Sequence, residues 1–384
     1  MFSGRTYWDL SRNRLSERLA ALRAAGRDVL DLTLANPTEA GLVYDGAALA
    51  AALGDERLVR YAPTPMGDPE ARRAVAAEYA ARGVAVDPDH LLLTASTSEA
   101  YAFLFKLLAD PGDTILVPRP SYPLFEFLAR LESVVVQPYP LVYQGGWRID
   151  LDALRALPTE RVRAIVVVHP NHPTGSFLRR AERDALRALG RPVISDEVFA
   201  DYAYGPDPAR VATLADETEM LAFALSGLSK VAGLPQLKLG WMAVAGPSAA
   251  RRAALERLEI VSDTYLSVGT PVQLAAPRLL ALGGAVREQI RARVVENRAA
   301  LSATLGAESA ATLLRAEGGW AAVLQIPRTR TEEEWALLLL EEEGVLVHPG
   351  YFFDFAEEAY LVVSLLAPPA RFREAAARLG RRLG

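Results

Sequence analysis

Short runs in which nearly every residue is apolar alternate along this chain with longer stretches that carry helical periodicity. The runs AIVVVHP (164–170), PVIS (192–195) and FALSG (223–227) are typical of strands that are buried on both faces of a sheet. Strands of this kind, separated by helices, are characteristic of a mostly parallel sheet. The alternation therefore predicts an α/β fold with a mostly parallel central sheet.

Further segments extend this pattern toward both ends of the chain. The run HLLLT (90–94) leads into a predicted helix at Ser98–Leu108, and TILVP (114–118) leads into a predicted helix at Tyr122–Arg130. WMAVAG (241–246) follows as another predicted strand. These segments add three strands and two helices to the predicted sheet.

The pattern changes after about residue 275. A long charged helix, VREQIRARVVENRAALSATL (286–305), precedes an α+β segment that ends in YLVVSLL (360–366). At 384 residues the chain is long enough for two domains. We expect residues 1–45 to be an N-terminal segment of a small domain, residues 46–275 to form a large domain, and residues 276–384 to form the C-terminal small domain.

Polar residues follow five of the predicted strands. In open α/β sheets a ligand binds at the carboxyl ends of the strands. We therefore expect these segments to converge on one crevice. They are Thr94–Ser98, Pro118–Tyr122, Pro170–Gly175, Asp196–Phe199 and Gly227–Lys230.

Composition excludes several classes of function. The chain has no cysteine, which rules out disulfides, thiolate metal sites and a cysteine nucleophile. Its four histidines show no metal-ligand spacing, so we expect no metal site. The net charge of -5 argues against a nucleic-acid partner. No apolar run approaches about 20 residues, and the N-terminus has no apolar targeting segment, so we expect a cytoplasmic protein that does not bind membranes.

Lysine is rare in this chain, and two of the three lysines lie close together. The sequence contains 42 lysines and arginines, of which only Lys106, Lys230 and Lys238 are lysine. An amine can form a Schiff base with a carbonyl group, whereas a guanidinium cannot. Lys106 lies in a predicted helix and is interpreted as an ordinary surface side chain. Lys230 follows a strand, in the small-residue turn GLSK. Because this chain uses arginine at nearly every basic position, a lysine with no more than a surface role would be unusual there.

Three other segments place polar groups at the ends of strands, and each also has a simpler interpretation. TASTSEAY (94–101) carries hydroxyl groups at a helix N-terminus, which suits an anion, although a helix cap is the commoner use. HPNHPTGSF (169–177) is a loop rich in Pro and Gly that could serve only as a turn. SDEVF (195–199) puts two acids at a strand end, where a buried carboxylate is costly without a cationic partner, although an N-cap is the simpler explanation.

These motifs occur in one register: a hydroxyl-rich turn, an aromatic residue after a strand, P-N-x-P-T-G, D-E, and S-K with a second cation eight residues on. With them the sequence resembles the fold type I, class I/II aminotransferases that use pyridoxal 5'-phosphate (PLP). The resemblance runs from YAPTPMGDPEARRAVA (61–76) to GVLVHPG (344–350), and GLSKVAGLPQLKLGW (227–241) is its most specific segment. It implies a three-layer PLP-transferase fold, with a mostly parallel sheet in a large PLP-binding domain and a smaller α+β domain.

The resemblance implies a function and two catalytic residues. Lys230 matches the lysine that forms the Schiff base with PLP and later moves a proton at the substrate Cα, which needs an amine that can be neutral near pH 7. Asp196 matches the partner of the pyridine nitrogen, which keeps the ring protonated. The implied reaction is transamination between a small-molecule amino donor and a 2-oxo acid.

The resemblance also implies a set of cofactor-binding residues. Three residues in the hydroxyl-rich turn match the phosphate-binding turn, and Tyr122 matches the aromatic residue that stacks on the ring. Tyr61 matches a tyrosine that reaches the phosphate of a neighbouring subunit, which implies a homodimer. The full set is Tyr61, Ser96, Thr97, Ser98, Tyr122, His172, Asp196, Phe199, Lys230 and Lys238.

Five positions depart from the family pattern. His172 and Phe199 stand where the family has the asparagine and tyrosine that bond the O3' atom of PLP, so one hydroxyl is lost. Lys238 replaces an arginine at the phosphate, and Gly227 replaces a serine. Val362 stands where the family has the arginine for the substrate α-carboxylate. The candidate replacements for that arginine, all in the C-terminal region, are His348, Tyr351 and Arg371.

Other functions stay open at this point. Decarboxylases, β-eliminating lyases and cyclising synthases of the same fold share the lysine and the aspartate, and the missing arginine is compatible with them. A non-catalytic regulatory domain of the same shape would normally carry a DNA-binding segment before it. The roughly 45 residues that precede the predicted large domain are not basic enough for that role.

Overall fold

A computed structural model describes residues 1–306 and 309–383. Its strands are β1 (Leu30–Asp31), β2 (Leu91–Thr94), β3 (Thr114–Arg119), β4 (Val135–Tyr143), β5 (Trp147–Ile149), β6 (Val162–Val168), β7 (Val193–Asp196), β8 (Ala222–Gly227), β9 (Gly240–Ala245), β10 (Thr312–Leu313), β11 (Ala321–Gln325), β12 (Val345–Leu346), β13 (His348–Pro349) and β14 (Tyr360–Ser364). Its helices are α1 (Arg14–Ala24), α2 (Gly46–Leu53), α3 (Pro69–Ala81), α4 (Thr97–Leu108), α5 (Phe125–Leu131), α6 (Leu151–Ala156), α7 (Arg180–Ala188), α8 (Leu228–Val231), α9 (Ser248–Tyr265), α10 (Thr270–Thr304), α11 (Glu332–Glu342) and α12 (Pro369–Leu383).

The central sheet has eight strands in the order β2-β9-β8-β7-β6-β3-β4-β5. The pairs from β8 through β7, β6 and β3 to β4 are all parallel. Strand β9 runs antiparallel to both of its neighbours, and β5 runs antiparallel to β4. The mostly parallel sheet predicted from the alternating pattern is therefore confirmed.

Alternate residues of each strand cover the two faces of this sheet. In β2, Leu91 and Leu93 belong to the apolar cluster that includes residues of α3 and α10. Leu92 belongs to a different cluster, which includes residues of α4, α5 and α9. Burial on both faces explains why these strands are apolar at every position. The result is a three-layer arrangement of helices, sheet and helices.

The predicted strands agree with the observed ones to within two residues at each end. Helix α5 differs more, because it begins at Phe125 rather than at the predicted Tyr122. Tyr122 precedes Pro123, and a residue before proline avoids the helical conformation, so Tyr122 is a poor first residue for the helix. Helix α10 begins at Thr270, which is 16 residues before the predicted start at residue 286, and it contains Pro277.

The C-terminal region has its own sheet. Its four strands lie in the order β10-β11-β14-β13, and each neighbouring pair is antiparallel. A short parallel pair joins β1 near the N-terminus to β12. The α+β segment expected after the long helix is therefore present. The division of the chain at residues 45/46 and 275/276 stays a prediction, and the second boundary falls inside α10.

Within residues 1–306 and 309–383, no helix combines the length and the apolar character needed to cross a membrane. The same part of the chain contains no group of three or more His, Asp or Glu side chains placed to hold a metal ion. The cytoplasmic location expected from the sequence stays a prediction.

A buried carboxylate fixes the loop between β13 and β14. Glu332 lies in the first turn of α11 and is only 1% exposed. Its side chain accepts hydrogen bonds from the backbone N–H groups of Tyr351 (2.6 Å), Ala359 (3.1 Å) and Tyr360 (2.8 Å). Gly350 fits beside it because a Cβ atom there would lie 2.6 Å from a Glu332 oxygen. One side chain thus holds both ends of the loop that follows His348.

We predict that Glu332→Ala destabilises the protein by at least about 2 kcal/mol, since a buried donor without an acceptor costs roughly 1–3 kcal/mol. The neighbouring Glu333→Ala is the control, because Glu333 forms a surface pair with the exposed Arg14 at 3.0 Å. Such surface pairs are worth about 0–1 kcal/mol. Chemical denaturation of both variants gives the two values. Equal stability of the two variants would contradict this role for Glu332.

Candidate active site

A cavity of about 330 Å³ opens at the carboxyl ends of the central strands. Three of the five segments expected to converge there contribute most of their predicted residues, while the segments after β3 and β6 contribute only Tyr122 and His172. The C-terminal sheet closes the cavity with residues of β11, β13 and β14. The predicted residues that line it are Ser96, Thr97, Ser98, Tyr122, His172, Asp196, Phe199, Lys230 and Lys238.

One end of the cavity is rich in hydrogen-bond donors. Helix α4 begins there, and the first N–H groups of a helix have no acceptor within the helix. Ser96 caps the helix by accepting from the Glu99 N–H at 3.2 Å, so the simpler interpretation of this turn is also correct. Thr97, Ser98 and Ser229, which also carry hydroxyl groups, line the cavity too. Together with the positive end of the helix dipole, these groups suit an anion.

Close backbone approach shapes this end of the cavity. A Cβ atom on Gly240 would lie 3.0 Å from the Ser96 carbonyl carbon and 3.2 Å from the Thr97 nitrogen. A Cβ atom on Gly227 would lie 3.0 Å from both Gly240 Cα and the Leu239 oxygen. The serine that the family carries at position 227 therefore has no room here unless strand β9 moves.

Lys238 reaches the cavity from a strained backbone position. Its φ and ψ angles are 51° and 54°, in the left-handed region. For a residue other than glycine this conformation costs roughly 1–2 kcal/mol. Strain of this kind persists where the surrounding structure demands it, and it clusters at functional sites. Lys238 lines the cavity, so its amine can supply a cation to the anion-binding end.

Asp196 ends β7 and turns its carboxylate into the cavity. Burial raises the pKa of Asp196 to about 6, while hydrogen bonds from the Val198 N–H (3.2 Å) and the Tyr101 hydroxyl (3.1 Å) act in the opposite direction. The positive charge of Lys230 also lowers this pKa. A buried carboxylate of this kind is suited to a protonated nitrogen as its partner.

Lys230 lies in the short helix α8, directly after β8. Burial lowers the pKa of Lys230 to about 8, and the charge of Asp196 partly opposes that shift. The amine lies 4.9 Å from the ring centre of Trp320 and 5.5 Å from that of Phe199. The Tyr202 hydroxyl donates to the Lys230 carbonyl oxygen at 2.6 Å and fixes the backbone. A usable fraction of this amine is therefore neutral near pH 7, as a nucleophile requires.

Aromatic rings form most of the remaining wall. His172 and Phe199 stack with their ring centres 5.5 Å apart, and Phe353 meets His172 edge-on at 5.3 Å. Trp320 meets Phe199 edge-on at 5.3 Å. Tyr122 meets His172 at 6.4 Å across the cavity. These rings reduce the access of water to Lys230 and Asp196.

The loop that carries Trp320 packs directly on the P-T-G turn. Gly175 has a φ angle of +68°, and a Cβ atom there would lie 2.4 Å from the Gly318 carbonyl oxygen. Glu317 donates its N–H to the Gly175 carbonyl oxygen at 3.0 Å and accepts from the Phe177 N–H at 3.2 Å. The glycine of P-T-G is thus required by the approach of the E-G-G-W segment.

No arginine lines the cavity among the described residues. Val362 is 2% exposed and lies on the wall, as its place in the family pattern implies. Of the three candidate replacements, Arg371 pairs with Asp28 at 2.6 Å on the surface, and Tyr351 is 45% exposed and lines a neighbouring groove. Only His348 reaches the cavity, where it stands directly opposite Val362 in the β13–β14 pairing.

Both histidines of the cavity are held in the neutral form. Burial lowers the pKa of His172 to about 3, and the charges of Lys230 and His348 add to that effect. Burial also lowers the pKa of His348, against a smaller contribution from Asp31. The lysines are therefore the only cations that line the cavity within the described part of the chain.

Tyr61 is the one predicted site residue that does not line the cavity. It is 79% exposed on a single chain, beside the exposed Val59. The resemblance implies that Tyr61 acts on a neighbouring subunit, which a single chain does not test. That role stays a prediction.

Several residues that line the cavity or contact its lining were not identified as site residues from the sequence. Ser229 adjoins Lys230, and Trp320 ends the segment E-G-G-W, so both lay within motifs that resemble the family. Tyr101 lies one helical turn after Ser98 on α4, and this spacing is the only sequence signal that could have placed it near Asp196. His348 could be matched with Val362 only after the strand pairing was known.

The donor set of the cavity can be tested against PLP. A phosphate group needs hydrogen-bond donors and a cation, which the first turn of α4 and Lys238 provide. A protonated pyridine nitrogen needs a buried carboxylate, which Asp196 provides, and an aldehyde needs a neutral amine, which Lys230 provides. The residues present therefore fit this cofactor.

Comparison with known proteins gives an independent result. The family model described as "Aminotransferase class I and II" matches residues 27–379. A probable aminotransferase, TAT2, from Arabidopsis thaliana is 31% identical over 270 residues, which are 66% of this chain and 64% of that protein. An alanine aminotransferase from Mycobacterium bovis is 26% identical over 387 aligned positions, which cover 96% of this chain and 89% of that protein.

The fold is also known from solved structures. An alanine aminotransferase from Pyrococcus furiosus matches with a TM-score of 0.87 and 24% identity, covering all of this chain and 99% of the other. The chain spans only 43% to 64% of the length of the Arabidopsis, Oryza and Hordeum relatives that it matches. The family model nevertheless covers nearly the whole of this chain, and the three-layer fold agrees with it. The protein therefore belongs to the class I and II aminotransferase family.

Proposed function

We propose that the protein is a PLP-dependent aminotransferase that moves an amino group between a small-molecule amino donor and a 2-oxo acid. The observation that carries this proposal is the placement of Lys230 and Asp196 in one cavity with the donor-rich turn of α4. The family membership supports the reaction type.

The phosphate of PLP would be held at the first turn of α4. Ser96, Thr97 and Ser98 offer backbone and hydroxyl donors, and Lys238 offers a single ammonium in place of a two-pronged guanidinium. Asp196 would accept the proton of the ring nitrogen. PLP supplies an electron-withdrawing ring that stabilises negative charge at the substrate carbon.

Lys230 would attach the cofactor and then act as acid and base. Its amine is partly neutral near pH 7, so it can take the proton from the substrate Cα and return it. The aromatic walls exclude water from this proton transfer. Phe199 offers no hydrogen bond to the cofactor, and a neutral His172 offers one N–H donor.

Other PLP reactions share Lys230 and Asp196, so the products decide between them. In the proposed transamination, each donor would be recovered as the matching oxo acid. Release of CO2, ammonia or a cyclic product in its place would indicate a decarboxylase, a β-eliminating lyase or a cyclising synthase. Product analysis after single donors are added is therefore the test of the reaction type.

We predict that Lys230→Ala abolishes covalent attachment of PLP and reduces turnover to background, because Lys238, the other lysine that lines the cavity, would be occupied at the phosphate. Borohydride reduction followed by peptide mapping of the wild type should find the cofactor on the peptide that contains Lys230. Lys106→Ala is the matched control, since Lys106 lies on the far surface paired with Glu132 at 2.5 Å. A modified Lys106 or Lys238 peptide in place of Lys230 would refute the assignment.

We predict that aspartate and glutamate are poor donors and that larger, less acidic amino acids are better ones. A hydrogen bond to a charged group contributes on the order of 1.5–3 kcal/mol, so absence of an arginine at Val362 should weaken the binding of ordinary α-amino acids, aspartate and glutamate included, by at least about tenfold. Single-turnover kinetics with a donor panel measures this. Val362→Arg should recover about tenfold for aspartate, whereas Val362→Leu, which changes size without charge, should not. Fast reaction of aspartate with the wild type, and no gain in the arginine variant, would show that another group anchors the carboxylate.

We predict a homodimer in which Tyr61 of one subunit contributes to the site of the other. The strongly exposed Tyr61 and Val59 support a contact at this surface. Sedimentation equilibrium should give twice the mass of one chain, and Tyr61→Phe should weaken PLP binding without changing that mass. A fully active monomer would contradict this prediction.

A further inference from the structure

One hydrogen bond links the donor-rich helix to the buried acid. The hydroxyl of Tyr101, in the second turn of α4, donates to Asp196 Oδ2 at 3.1 Å. Tyr101 is only 3% exposed, and Asp196 is buried beside it. The bond spans 95 positions of sequence, so only the folded sheet brings the two groups together.

The surroundings of the Tyr101 side chain fix the direction of its hydrogen bond. Two aromatic rings hold its side chain, Phe125 edge-on at 5.4 Å and Phe105 at 5.9 Å. Burial, together with the charge of Asp196, holds the pKa of Tyr101 well above its usual range, so the hydroxyl stays protonated. Among the described residues Asp196 is its only hydrogen-bond partner. The proton must therefore point at the carboxylate.

The two oxygens of Asp196 are used differently. Oδ1 accepts from the Val198 N–H at 3.2 Å, and Oδ2 accepts from Tyr101. The other groups that face this carboxylate are the amine of Lys230 and the hydroxyl of Tyr122. Val198 fixes one oxygen from the same loop, so only Tyr101 ties the second oxygen to a separate element. Without the Tyr101 hydrogen bond, the carboxylate could rotate and its negative charge would be less stabilised.

We propose that Tyr101 is a positioning residue that keeps Asp196 ionised and in one orientation, ready to receive the ring N–H of the cofactor. This inference rests on the proposed use of PLP. It concerns the protein before the cofactor arrives, because the bond is already formed without it. A carboxylate that is protonated cannot accept the ring proton, so the binding of PLP should depend on Tyr101.

The test compares Tyr101→Phe with Tyr139→Phe. Tyr139 is the matched control because it is equally buried and donates to the Val166 carbonyl oxygen at 2.8 Å, outside the cavity. A carbon-13 NMR titration of carboxyl-labelled, cofactor-free protein follows Asp196, with Asp196→Asn identifying its signal. Loss of the Tyr101 bond should move the midpoint upward by about one pH unit, a tenfold change in proton affinity, and Tyr139→Phe should not move it.

The second measurement is the affinity for PLP between pH 5 and pH 9. Burial raises the pKa of Asp196 to about 6, so the wild type should lose affinity as the pH falls through that value and the acid becomes neutral. In Tyr101→Phe this loss should begin about one pH unit higher. The phosphate of PLP titrates alike in all variants, so the difference between variants isolates Asp196. In an Asp196→Asn background, Tyr101→Phe should have no further effect on this pH dependence.

The outcomes separate this inference from the proposed function. An unchanged Asp196 midpoint in Tyr101→Phe would overturn the role of Tyr101, whether or not the protein binds PLP. A shifted midpoint in a protein that does not bind PLP would support the contact and refute the cofactor. If Tyr101→Phe does not fold, 3-fluorotyrosine at position 101 replaces it: its more acidic hydroxyl should strengthen the bond and lower the midpoint, and an unmoved midpoint would again overturn the inference.

Discussion

Two ionisable side chains share a cavity with mainly apolar and aromatic walls, and the rest of the site is arranged around this constraint. Burial disfavours the charged forms of both Asp196 and Lys230, and their mutual attraction offsets only part of that cost. A ligand with a protonated ring nitrogen and an aldehyde would satisfy both groups at once. The cavity is therefore better suited to an occupant of this type than to solvent.

The reversed direction of strand β9 brings the segment that carries Lys238 to the same edge of the sheet as Lys230. Because β9 runs antiparallel to β8, its first residue lies at the carboxyl edge of the sheet, next to the end of β8. Gly240 and Gly227 allow the backbones of β9, β8 and the α4 turn to approach closely. The strained Lys238 lies just before that strand. The reversal thus brings the second cation to the same edge as the parallel strands, where ligands bind in folds of this class.

The central strands and the crevice were predictable because they depend on local pattern. Fully apolar runs indicate strands buried on both faces, and strand ends indicate where polar groups gather, which was enough to bring Asp196 and Lys230 together. The reason for Gly227 was not predictable, since it depends on the approach of Leu239 and Gly240. The contact of Tyr101 with Asp196 was also missed, because it joins elements far apart in sequence. Register between β13 and β14, which sets His348 opposite Val362, depends on tertiary packing.

The charge balance of the cavity bears on how one site could serve two substrates. In the proposed reaction, a donor and an oxo acid occupy the same space in turn, and both carry a carboxylate. With Val362 and a neutral His348 on the wall, that carboxylate would meet hydrogen-bond donors rather than a fixed cation. Recognition would then depend more on the substrate side chain, which would lie against the rings of Trp320, Phe353 and Tyr122 that line the cavity. Contact with rings discriminates by size and shape, and weakly by charge, so the same wall can accept the amino and oxo forms of one compound without favouring either.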